Sequence, residues 1–189
     1  MKRISTYITE KLHINNTTKI EYMYHPKNKD ELIKCIKEKI KKEGLGTENN
    51  PLDLNDIDTS KITDMSELFS NTIDAPLLEL SLNGHFNISD WDVSNVEDMR
   101  MMFHGSNFDD DLSDWDVSNV INMSYMFVGS KFDGNISKWD VGEVKNMACM
   151  FANSKFSGKI DKWQIQDDTN IYKMFDGSPL KNNPPKWYK

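Results

Sequence analysis

The chain has 189 residues, nine glycines, six prolines and a formal net charge of −7, a composition that suits one compact, elongated domain. No apolar run approaches the ~20 residues needed to cross a bilayer. The acidic excess argues against nucleic acid as a direct ligand, because phosphate is neutralised by Lys and Arg; an acidic surface can still mimic nucleic acid.

In chain order, the first segment is set apart by charge. Residues 1–52 hold 11 basic and 7 acidic residues, a net of +4, and the remainder holds 12 and 23, a net of −11. Its basic start meets Glu10 and Lys11 before any long apolar core, so it reads as no signal peptide, and no nearby Cys could take a lipid. The expectation is a cytoplasmic protein of a bacterium or a phage-infected host. Cys35 and Cys149, the two cysteines, are expected reduced and buried. Ile4, Tyr7, Ile8 and Leu12 have helical spacing, and Ile20, Tyr22 and Tyr24 alternate like a strand that ends at Pro26. A second helix follows. Asp30 is its expected N-cap, Leu32, Ile33, Ile36 and Ile40 form one face, lysines fill the other, and Gly44 stops it. This helix, strand and helix read as an α+β cap over the open end of whatever follows, with a basic docking site as the other reading.

Residues 53–189 repeat. Trp91, Trp115, Trp139 and Trp163 lie 24 residues apart, as do Phe103, Phe127, Phe151 and Phe175, and Met102, Met126, Met150 and Met174. A fixed period of this length marks a stack of small units rather than a globule around one pocket. Units begin at Leu54, Ile88, Leu112, Ile136 and Ile160, and Trp187 opens a truncated sixth. The first unit is ten residues longer, with the excess inside residues 72–84, where Leu78, Leu80 and Leu82 alternate like an added strand. Within each unit Trp115 and Val117 alternate about Asp116, which predicts a short strand. Val120, Met123, Met126 and Phe127 form a stripe that predicts one or two helical turns, ended by Gly105, Gly129, Asn153 or Gly177. The Ser106, Ser130, Ser154 and Ser178 column reads as a hydroxyl ladder serving the backbone of neighbouring coils. At a strand spacing of ~4.8 Å, five coils make a stub about 25 Å long. The predicted fold class is therefore α/β: a short solenoid of 24-residue units, each with a short parallel strand and a short helix.

Asp92, Asp116 and Asp140 form an acidic column that Gln164 breaks, and Asp90 and Asp114 stand beside it before Lys138 and Lys162 take over that row. Stacked like charges repel, so hydrogen bonds to turn amides, nearby lysines or a cation must offset them. Calcium would need six or more oxygens in a shaped loop, and Asp109-Asp110-Asp111 lacks the glycine of such a loop. No cofactor or metal is expected. His13, His25, His85 and His104 follow no ligand spacing, and no hydrolase or phosphate-loop motif occurs. Cys149 fills the slot of Met101 and Tyr125, so packing accounts for it. The reading is of a protein that is not an enzyme.

The string Trp-Asp-Val-Ser-Asn-Val-x-x-Met-x-x-Met-Phe-x-x-Ser-x-Phe, at 91–108 and 115–132, resembles the surface-protein repeat of BspA-like leucine-rich-repeat proteins. That family occurs in mycoplasma lipoproteins, gut bacteria, their phages and some giant viruses. The resemblance covers roughly residues 54–187. It implies a right-handed solenoid that binds proteins or surfaces, with no catalytic residues to carry over. Family members are typically exported, often as long arrays, whereas no leader is expected from the reading of residues 1–52. The expected function is a monomeric, non-enzymatic protein-interaction module whose partner is a protein. Its expected face is Asp90, Asp92, Asp114, Asp116, Lys138, Asp140, Lys162 and Gln164. A phage product, either a virion component or an inhibitor of a host defence complex, and a cell-surface adhesin are the alternatives.

Overall fold

The computed structural model describes residues 21–188, so the helix expected through Ile4, Tyr7, Ile8 and Leu12 lies outside the described residues, as does Ile20. Helix α1 spans Lys29–Glu43. Its N-cap is Asn28, whose side chain accepts from the Glu31 amide at 3.0 Å. Asp30, the expected cap, instead sits in the first turn with Glu31, where a negative charge complements the helix dipole. Gly44 ends the helix at φ 85° and returns its N–H to the Ile40 carbonyl. Leu32 and Ile36 are fully buried, and Ile33 and Ile40 partly so. One lysine defies the expected solvated face. Lys39 is 4% exposed, its Nζ 2.8 Å from both Asp56 carboxylate oxygens and over the Tyr24 ring. The strand expected to end at Pro26 is a single parallel bridge, Tyr24 to Ile57.

From Leu54 onward successive repeats lie one above the next. Asp64, Asp98, Asn122, Asn146 and Asn170 form a continuous line of parallel bridges, 34 residues apart at the first step and 24 thereafter. Strand β1 (Leu52–Asp53) pairs in parallel with β2 (Phe86–Asn87) in register Leu52 to Phe86. The insertion of the first coil contains the six-residue helix α2 (Leu78–Asn83), not the strand that alternating leucines suggested. Leu77, Leu80 and Ser81 are its buried positions, an i, i+3, i+4 set.

The stripe expected to be helical is a chain of turns. In the second coil Met102 donates to Met99, His104 to Met101 and Ser106 to Phe103, all three residues back. The intervening amides leave the coil: Met99 donates to Asn122, Met101 to Ser124, Phe103 to Met126 and Gly105 to Val128, at 2.7–3.0 Å. The same four bonds recur between each later pair of coils. A left-handed residue at 101 and again at 105 turns every second amide toward the next coil. An isolated helical turn would leave its end groups unpaired inside the stack, whereas this ladder pairs them. The segment expected as a strand around Trp115 keeps the alternation, with Trp115 and Val117 buried and Asp116 exposed, but carries no main-chain ladder. Side chains link the coils there. Trp115 Nε1 donates to the Ile88 carbonyl at 3.1 Å, and Trp91, Trp139, Trp163 and Trp187 repeat the bond to Leu54, Leu112, Ile136 and Ile160.

Inside, Phe69, Phe103, Phe127, Phe151 and Phe175 make a column with ring centroids 5.5–6.0 Å apart and planes within 13°. A second column, Phe108, Phe132 and Phe156, stands against it, with Phe86 in the first coil's place. Offset stacking of this kind adds to the burial term. Trp187 stacks on Trp163 and continues the tryptophan column, and Tyr188 meets Phe175 edge-on at the end of the first phenylalanine column. The serine column is buried and serves the neighbouring coil only in part: the Ser106 hydroxyl donates to the Ser81 carbonyl of the preceding coil at 3.5 Å, whereas Ser154 and Ser178 donate within their own coils to Phe151 and Phe175, three residues back.

Candidate functional site

Each coil bends at side-chain-to-backbone turns, and these decide which carboxylates are free. Asp92 Oδ1 accepts the Ser94 amide at 3.0 Å and its hydroxyl at 2.6 Å; Asp116 does the same with Ser118, and Asp140 with the Gly142 amide. The Ser118 hydroxyl, then its amide, hold the Asp116 carboxyl below the usual carboxylate range. The mutual repulsion expected of this column is therefore offset by turn bonds. Two further columns use the same device. Asp98, Asn122, Asn146 and Asn170 each accept the amide two residues on, as do Asn87, Asp111 and Asn135.

All eight residues expected to face a partner are exposed. Asp90, Asp114, Lys138 and Lys162 flank the tryptophan column on one side, and Asp92, Asp116, Asp140 and Gln164 on the other. The first row runs acid, acid, base, base along the stack. The second is partly committed to turns, with Gln164 donating to the Lys162 carbonyl. With one carboxylate oxygen of each acid already bonded to its turn, millimolar calcium is expected to leave the melting temperature within about 1 °C. A rise of several degrees in a thermal melt at neutral pH would revive the cation reading.

Other groups do not converge. A cleft of about 370 Å³ is lined by Glu48, His85, Asp109 and Asp110, among others, but Asp109 is bonded to the Asp133 amide and Asp110 to the Asp111 amide. His104 Nδ1 lies 3.4 Å from Asn71 Oδ1, and burial lowers its pKa. Among the described residues no three His, Cys, Asp or Glu side chains gather as a metal site, and no helix is long and apolar enough to cross a membrane.

Sequence reasoning passed over the outward face of the turn ladder. Glu67, Met101, Tyr125, Cys149 and Lys173 occupy one slot of successive coils, each at φ between 51° and 60°. A non-glycine residue held there costs on the order of 1–2 kcal/mol. The neighbouring left-handed slot carries Gly105, Gly129, Asn153 and Gly177, the residues that meet it with least strain. Packing was expected to explain Cys149, but this slot is not core: Tyr125 is 43% exposed, and Cys149, like Cys35, is half-buried with a free thiol. Ile121 and Tyr172 extend the exposed apolar surface. The signal available in the sequence was variation. Most inward slots repeat the same residue types, whereas this one holds Glu, Met, Tyr, Cys and Lys.

A stack of pinned coils with largely repeated inward slots and varied outward ones defines a repeat protein. The family described as "Mycoplasma protein of unknown function, DUF285" matches residues 40–77 and 77–187, and the chain belongs to that family. The two matches meet at Leu77, next to the inserted helix α2. No curated protein and no solved structure matches the chain.

Proposed function

We propose that the chain is a non-enzymatic protein-interaction module: a short, right-handed solenoid of the leucine-rich-repeat-like class that offers its outward columns to a partner protein. The observation that carries this reading is the division of labour along each coil. Inward slots are spent on ring columns and indole bonds, while the row Asp90, Asp114, Lys138 and Lys162 is exposed and changes sign along the stack. A rigid frame that carries variable outward residues suits recognition, and a row of mixed charge gives register and selectivity to the encounter. The resemblance to BspA-like surface repeats supports the same class of function.

The test is site-specific photo-crosslinking in the cell that makes the protein, with the probe at Asp114 or Lys138 and a control at Glu79 on the inserted helix. One partner of defined mass is expected from the first two positions and none from the third. The partner should be lost when Asp90→Lys and Asp114→Lys are combined, with the fold intact. Equal labelling from all three positions, or none from any, would sink the reading.

A further inference from the structure

The turn-ladder face has an order along the stack that recognition of a foreign partner does not require. Its left-handed column reads Glu67, Met101, Tyr125, Cys149, Lys173 from the first coil to the fifth. The column at the start of the same ladder reads Glu97, Ile121, Lys145 over coils two to four, and all three are exposed. Both columns place an acid on the N-terminal side, an apolar residue at the third coil, and a base on the C-terminal side. The adjoining outward slot holds Val128 in that third coil. Each column is thus self-complementary when reversed about the third coil.

We propose that this face is a homodimer interface, in which two copies pack with their stacks antiparallel about a two-fold axis level with the third coil. An axis lying across the stack sets each column against its own reverse, the isologous arrangement of symmetric dimers. Tyr125 and Ile121 then meet their own copies at the centre. Glu97 faces the partner's Lys145, Glu67 faces the partner's Lys173, and Met101 faces the partner's Cys149. No like charges oppose one another in either column. The middle of the face has the uncharged, Tyr- and Met-bearing character of an interface core, with charge at its rim. The strained column acquires a reason as well. Glycine there would relieve the backbone but remove the side chains that make the contact. The Glu67–Arg100 and Lys145–Asp168 pairs lie at the rim, where a second copy adds to them. This inference goes beyond the reading of the charged strip and uses a different face; it departs from the monomer expected from sequence.

Sedimentation velocity of the full chain from about 1 to about 300 µM tests it, the expected affinity being micromolar. Tyr125→Lys sets two ammonium groups against each other on the axis and is expected to weaken the dimer at least about tenfold. Its circular dichroism and melting temperature should stay close to wild type, since the side chain already reaches solvent. Glu97→Lys and Lys145→Glu should each weaken the dimer and, combined, restore it. These residues are two coils apart within one chain and meet only across the axis, so restoration reads the antiparallel contact and not the fold. A monomer at every concentration overturns the proposal, as does a dimer indifferent to Tyr125→Lys or a charge swap that fails to restore. None of these results bears on crosslinking from Asp114.

Discussion

Trp115→Ala is expected to lower unfolding free energy by about 3–5 kcal/mol, the range for deleting a large buried aromatic. Two losses combine. The indole is 4% exposed and packs against Phe103 at 6.3 Å, in the middle of the stack where the coils above and below cannot collapse into the gap. Its Nε1 also donates to the Ile88 carbonyl, and removal deletes that inter-coil bond, leaving the carbonyl only the longer bond from the Trp91 amide at 3.2 Å. Trp115→Phe separates the terms, because it keeps most of the ring and deletes only the donor; it should cost about 1–2 kcal/mol. Urea unfolding followed by circular dichroism measures both. A loss below about 1 kcal/mol for the alanine variant would mean that the tryptophan column does not hold the coils together. Trp187→Ala, at the partly buried end, should cost less than Trp115→Ala, since it has a neighbour on one side only.

The residues that stack were legible because stacking demands identity. A ring covers the same ring one coil below, so Trp91 to Trp163 and Phe103 to Phe175 announce themselves by period. Backbone geometry was less legible for a physical reason. Val120, Met123, Met126 and Phe127 are spaced 3, 3 and 1, and this pattern buries one side of a helical turn or of successive three-residue turns equally well. What separates the two is the left-handed residue at Met101, Tyr125 and Cys149, where no glycine marks it. The sequence does carry turn-forming Asx residues at Asn122, Asn146 and Asn170, whose side chains bind the amide two residues on, a competitor to helix formation. Leu78, Leu80 and Leu82 misled by alternation, since burial there follows Leu77, Leu80 and Ser81. The eight residues of the charged strip were placed at the surface because they flank the tryptophans. The turn-ladder face was overlooked because Cys149 was matched with Met101 and Tyr125 and the slot taken for packing, though Tyr125 and Lys173 reach solvent there.

Asp56→Ala is the second large effect, and it arises because the buried Lys39 has its closest counter-charge in Asp56, 17 residues away in sequence at 2.8 Å, with Glu43 one helical turn on at 3.7 Å. The carboxylate binds Lys39 Nζ through both oxygens, and its own carbonyl accepts the Met23 amide, so one residue ties helix α1 and the preceding segment to the first coil. Deleting Asp56 leaves the buried Lys39 charge with only the longer, more exposed Glu43 pair at 3.7 Å. The Asp56 side chain is 23% exposed, which moderates the penalty to about 2–3 kcal/mol. Lys39→Met combined with Asp56→Leu should recover all but about 1 kcal/mol, because an apolar contact needs no compensation. The pH dependence has a definite sign. Burial pushes the Lys39 pKa down, but the Asp56 hydrogen bond and charge outweigh it, so the net shift is upward from 10.5. A base whose folded pKa exceeds its unfolded one contributes fully below the unfolded value and loses that contribution as pH climbs through the folded one. Wild type should therefore lose stability above about pH 10.5. In Asp56→Ala the Asp56 hydrogen bond and charge are gone and only Glu43 and Asp53 still act against burial, so the alkaline loss should be smaller than in wild type. Denaturation curves at neutral and alkaline pH read both slopes. Parallel pH profiles for wild type and Asp56→Ala, or a neutral-pH loss below about 0.5 kcal/mol, would show that the pair does not anchor helix α1 to the stack.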